Sequence, residues 1–209
     1  MAGAEVTTLE NNYAAITTLN LSGKNTSKYA ISTGVLVNFT GLTSLNLSDT
    51  GITDLGGLAG LKNLKELDVS NNTFETIPNN DQLGAIAGLT NLTKLNLSNT
   101  KITAISAIAN LKQLEELDIS GTSILDLNVF WKGSTPTFAS LTSLKAQNIE
   151  TLISIAGLVE IVNLSGFKAD GLTWDLGTST LKTDSDNHIG IIQSKFTQTT
   201  GKFTAPIVK

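Results

Sequence analysis

The 209-residue chain contains no cysteine, which excludes disulfide cross-links, thiolate catalysis and cysteine-ligated metal. Basic residues are scarce: 14 Lys+Arg against 18 Asp+Glu leave a net charge of −4, so no positive field draws in nucleic acid or anionic lipid. No apolar run is long enough to span a bilayer, so membrane insertion is not expected. The opening residues, MAGAEVTTLENNYAA, have neither the basic start nor the apolar stretch of a secretory signal. They fit a chain numbered after processing, one released by lysis or assembly, or one that stays in its cell. Charged residues make up only 15% of the chain, and Ser, Thr and Asn fill much of the rest.

What the chain does have is repetition. LTSLNLSDTGITDLGGLAGLKN, residues 42–63, returns almost letter for letter as LTKLNLSNTKITAISAIANLKQ, residues 92–113. Looser copies occupy 16–41, 64–91, 114–140 and 141–160, giving six units of 20 to 28 residues, a period that belongs to solenoids. The first unit is enlarged around GKNTSKYAISTGV, the third around Pro78, and the fifth carries an insertion with Phe130 and Trp131. Within a unit, alternating Leu45 and Leu47 point one way, as in a half-buried strand. Ile52, Leu55, Leu58 and Leu61 then follow at a spacing of three, which suits 3₁₀ turns that keep one face inward. One such unit cannot bury its apolar stripe alone, whereas stacked units share one core.

L-x-x-L-x-L-x-x-N/T-x-I-x-x-L-x-x-L-x-x-L is the 22-residue leucine-rich repeat, and NLTKLNLSNTKITAISAIANLKQL closely resembles the repeats of bacterial internalins. The resemblance covers residues 16–160. It implies an α/β-type, mostly β solenoid: a right-handed superhelix with a parallel sheet on the concave side and 3₁₀ or irregular turns on the convex side. It also implies protein recognition by the concave face. Alternate strand residues would line that face, among them Asn46, Glu66, Asp68, Lys94, Asn96, Glu116, Asp118 and Lys145. These are small or polar, without the Trp, Tyr and Arg that enrich binding hot spots. Both a protein-binding face and a solvated Ser/Asn ladder are open readings. Where the repeat expects Asn after the strand, the chain has Thr50, Thr100 and Thr122, with Asn only at Asn72. A Thr hydroxyl can still bond the turn backbone.

Residues 1–15 read as an N-terminal cap segment and 161–209 as a last degenerate repeat followed by a C-terminal β-rich cap or arm. IVNLSGF begins like another strand, and HIGIIQSKFTQTTGKFTAPIV alternates like a strand pair with a turn near 199–202. Trp174 is expected in the core of the cap. Such an arm could add to a neighbouring subunit's sheet, making a homo- or hetero-oligomer through 181–209. Phe130 and Trp131 are either exposed anchors on a loop or side chains folded back over the next repeat.

Catalysis has little to stand on. His188 is the only histidine, with no nucleophile or acid placed beside it by a recognised spacing. Asp184, Asp186 and Asn187 suggest a calcium loop, but Ile189 stands where an EF-hand needs glycine and Lys195 where it needs a bidentate glutamate. Glu66 with Glu116, and Asp68 with Asp118, are carboxylate pairs two repeats apart, roughly 9.6 Å at strand spacing, too loose for hydrolysis. No catalytic residue, cofactor or metal is expected.

Eight Asn-x-Ser/Thr sequences, four of them inside the strand pattern LNLS or VNLS, would load the sheet with sugar in a eukaryotic secretory pathway. A bacterial or phage source is therefore expected, with the chain at the exterior of a cell or in a virion. The functional readings, in order, are a protein–protein interaction module in an exterior assembly such as a phage decoration protein, an internalin-type surface adhesin or receptor-binding protein, and a carbohydrate-binding adhesin. The partner is a protein, either a neighbouring subunit or a host surface protein, and not nucleic acid.

Overall fold

A computed structural model describes residues 13–23, 32–74, 83–132, 135–150, 152–162, 173–177, 179–181, 184, 186–197 and 201–208. The chain before Tyr13, the enlarged middle of the first unit, the lengthening around Pro78 and the expected turn near 199–202, apart from residues 201–202, lie outside them.

Each unit contributes one three-residue strand to a single parallel sheet. In spatial order these are β1 Thr18–Asn20, β2 Ser44–Asn46, β3 Glu66–Asp68, β4 Lys94–Asn96, β5 Glu116–Asp118, β8 Ser143–Lys145, β9 Thr173–Asp175 and β11 Lys202–Thr204. Neighbours pair in strict register, Leu45 on Leu67 on Leu95 on Leu117 on Leu144. A one-residue slip would turn this column of leucines to solvent, so the apolar pattern fixes the register. Returning turns are 3₁₀ where apolar residues recur at three, as at Thr33–Asn38, Gly56–Leu58, Gly84–Ile86 and Ser106–Asn110. The seam of leucines and isoleucines between sheet and turns is buried along the whole stack. Each of these side chains contributes roughly 1.5–3 kcal/mol of burial, set against the ordering of its backbone.

The strands are short because the chain turns sharply after each one. Asp49, Asn71, Asn99 and Asn148 take φ of 53 to 56°, and Gly121 takes 66° at the same place. Asn, Asp and Gly are the residues that visit this left-handed region most readily, which explains their recurrence there. One residue on, the hydroxyls of Thr50, Thr100 and Thr122 each donate to the carbonyl three residues earlier at 2.6–2.7 Å. Asn72 does more. Its Nδ2 donates to the carbonyls of Val69 and Ser70 in its own rung and of Leu47 in the rung before, while its Oδ1 accepts from the Thr50 and Ile52 amides.

Several expectations for the C-terminal third need correction. Beyond residue 160, where one degenerate repeat was expected, β9 and β11 both continue the same sheet in register, with Trp174 and then Phe203 standing in the leucine column. Of the run read as alternating strand, the second part does form strands, at Lys202–Thr204 and Ile207–Val208, but the first part is a helix, His188–Phe196, here α2, after α1 at Ala156–Val162. Its apolar residues Ile189, Ile192 and Phe196 fall three and four apart on one inward face, and the Asp184 carboxylate caps it by accepting the His188 and Ile189 amides. Ile161 and Val162 end α1 rather than opening a strand. The only β structure outside the main sheet is small among the described residues. β10 Thr180–Leu181 pairs in parallel with β12 Ile207–Val208, and β6 Trp131–Lys132 pairs antiparallel with β7 Thr135–Pro136.

Candidate protein-binding face

The outward residues of the parallel strands stand in two columns. One runs Ser44, Glu66, Lys94, Glu116, Ser143, and the other Asn46, Asp68, Asn96, Asp118, Lys145. Together they line a trough of about 300 Å³ on the concave side. Eight of the ten residues singled out from the sequence meet here. Phe130 is fully buried, edge-on to Phe138 at 5.1 Å, and serves the core rather than a contact. The insertion turns inward because Phe130 takes the apolar convex position that Ile108 fills one rung earlier. Trp131 begins β6, and its side chain lies outside the described residues.

Neighbouring rungs are stitched across the trough floor. The Ser44 hydroxyl donates to Glu66 at 3.2 Å, the Asn96 amide to Asp68 at 3.1 Å, and Gln147 to Asp175. Lys94 pairs with Glu116 at 2.9 Å. Its hydrogen bond to that carboxylate, and the carboxylate's charge, hold the Lys94 ammonium above its ordinary pKa, with Glu66 and Glu115 adding to the effect. Lys94 therefore stays charged through the physiological range.

The second column also has a local task that sequence reasoning missed. In Asn20, Asn46, Asp68, Asn96, Asp118 and Asp175 the side-chain Oδ1 accepts the backbone N–H two residues on, at 2.9–3.0 Å. This is the Asx turn that ends each strand. Its signal was the recurring Asn/Asp-x-Ser, which had been read as a glycosylation pattern and a face. Lys145 and, in the last strand, Thr204 depart from it, and after Lys145 the Gln147 backbone N–H donates instead to the Ser120 hydroxyl at 3.1 Å.

His188 sits away from this face, its ring nitrogens 3.9 and 3.8 Å from Asp184 and Asp186. Among the described residues no group of three or more His, Asp or Glu side chains is arranged to hold a metal ion.

The model for Leucine Rich repeats (2 copies) matches residues 40–82 and 90–130. The fold is a leucine-rich-repeat solenoid. Its stack is similar to that of an internalin (inlF) from Listeria monocytogenes str. 4b F2365, at 24% identity and a TM-score of 0.64, over 85% of this chain and 46% of that one. An internalin C2 (inlC2) of the same strain matches at 23% identity and a TM-score of 0.54, over 96% of this chain and 84% of that one. The functional domain of InlJ from Listeria monocytogenes, which includes a cysteine ladder, matches at 19% and 0.61, over 86% and 38%. This leucine-rich-repeat protein thus spans less than half of the inlF and InlJ chains. It has no cysteine with which to build such a ladder. No curated protein matches the sequence.

Proposed function

We propose that this leucine-rich-repeat protein is a non-enzymatic recognition module that docks a protein partner in the trough of its concave sheet, at the exterior of a bacterial cell. The observation that carries the reading is the trough itself. Polar side chains from five successive rungs stand over an unbroken apolar seam, and hydrogen bonds between rungs hold several of them in place before any partner arrives. Preorganisation of this kind lowers the ordering cost of association. The likeness to Listeria internalins favours a cell-surface setting over a virion. Against catalysis stands the placement of charge. The carboxylates of Glu66 and Glu116 are separated by the rung of Lys94, which is bound to one of them, and of the two carboxylates that His188 faces Asp184 is engaged in capping a helix.

A photo-crosslinking amino acid at Ser143, on the trough, is expected to give one discrete protein adduct when the protein is incubated with intact host cells. The same group at Asn110, on a convex 3₁₀ turn, should give none. Equal adducts from both positions, or an adduct from Asn110 alone, would move the binding face elsewhere.

A further inference from the structure

At the third residue of six of the eight strands a side-chain acceptor closes the turn, and that task does not require a charge. Asn46 and Asn96 close their Asx turns as neutral amides, with the same geometry as Asp68 and Asp118. The negative charge at 68 and 118 is therefore surplus to the turn. Asp68 directs its second oxygen to the Asn96 amide. Because that amide faces Asp68, it is turned away from Asp118, and Lys145, in register beside Asp118, makes no ion pair with it among the described residues. Lys145 is itself a departure from the fold's pattern, since it replaces the acceptor and forgoes the turn. In the other column Lys94 is committed to Glu116, and among the described residues Glu66 bonds only the Ser44 hydroxyl, through one of its oxygens. The trough lining holds four carboxylates and two ammonium groups, a local charge of −2.

From this we infer that the partner presents two cationic side chains, one to Glu66 and one to Asp118, and a carboxylate to Lys145. The inference rests on the trough being the docking face. Two rungs of about 4.8 Å and one two-residue step along the strand set Glu66 and Asp118 roughly 12 Å apart, close to four residues of extended chain. Lys145 lies one rung further, within two residues' reach. Residues one, five and seven of an extended peptide point to the same side, so a single extended segment satisfies all three. Charge-assisted bonds to a guanidinium favour arginine at the two cationic places.

The probe is the fluorescein-labelled peptide Arg-Ser-Gly-Ser-Arg-Ser-Glu, read by fluorescence anisotropy at low ionic strength, with the charge-swapped Glu-Ser-Gly-Ser-Glu-Ser-Arg as its counterpart. The first is expected to bind, with affinity falling as salt rises, and the second to fail. Asp118→Asn should weaken binding by about tenfold with an unchanged melting temperature, because asparagine preserves the turn as it does at 46 and 96. Glu66→Gln should weaken it similarly. Equal binding of both peptides, binding of neither, or full affinity in Asp118→Asn would overturn the charge assignment. If the Ser143 adduct then persists in Asp118→Asn, the trough still docks a protein and only its charge code is wrong. If no adduct forms at all, the docking reading falls with it.

Discussion

Asn72→Ala lowers the stability of the solenoid by about 4 kcal/mol or more, the largest loss expected from removing one polar side chain. Asn72 is buried, and its amide is the shared partner of the Leu47, Val69 and Ser70 carbonyls and of the Thr50 and Ile52 amides. Alanine leaves these groups without that partner, and a buried orphaned polar group costs about 1–3 kcal/mol. The loss is not local to one rung, since three of these five bonds tie the second unit to the third. Asn72→Thr should be milder. A threonine hydroxyl can reach the carbonyl three residues earlier, as Thr50, Thr100 and Thr122 do, but it leaves the Thr50 and Ile52 amides open. Urea unfolding followed by circular dichroism gives the magnitude, and hydrogen exchange at Thr50 and Ile52 gives the location. A loss below about 1 kcal/mol would mean that water replaces the amide at no great penalty.

Gly57→Ala is the second severe change, by about 3 kcal/mol or more, and its contrast with Gly60→Ala makes it diagnostic. A Cβ at 57 would stand 1.8 Å from the Thr33 carbonyl oxygen and 2.1 Å from its carbon, both backbone of the neighbouring rung. Neither group can rotate away, so the convex turns of the first two units would have to separate. A Cβ at 60, three residues later in the same unit, meets nothing within 4 Å. Gly60→Ala should be neutral or stabilising by a few tenths of a kcal/mol, because it restricts only the unfolded chain. Thermal unfolding of the pair checks this directly. Similar melting temperatures for both variants would show that the first two convex turns do not pack this closely.

Much of the stack was legible because its physics is periodic. Leucines at alternate and then triplet spacing define sheet and turn, and Asp49, Asn71, Asn99 and Gly121 mark the left-handed corners in plain sight. One further degenerate rung was expected, but the places of the last two escaped because Trp174 and Phe203 occupy the leucine column, so the repeat no longer looks like itself. The α2 helix escaped because His188, Gly190 and Gln193 break up its apolar face into something that also alternates, while its cap, Asp184, lies four residues upstream. Phe130 was undecidable by sequence, since burial of an insertion depends on whether the rung beside it leaves a slot. Of the trough, the eight face residues followed from strand alternation together with the resemblance to internalin repeats. Which of their oxygens are committed and which are open did not, because that depends on the direction in which Asn96 and Lys94 point.

The trough depends on β2, β3, β4, β5 and β8 stacking in register, and the same stacking carries the sheet on through Lys202. Spin labels at Ser44 paired in turn with Lys94, Glu116, Ser143, Thr173 and Lys202 test this in solution by electron–electron distance measurement. Each step is expected to add about 5 Å, the spacing of neighbouring strands, with Thr173 and Lys202 extending the same series. A series that stops lengthening at Ser143, or folds back, would contradict the account.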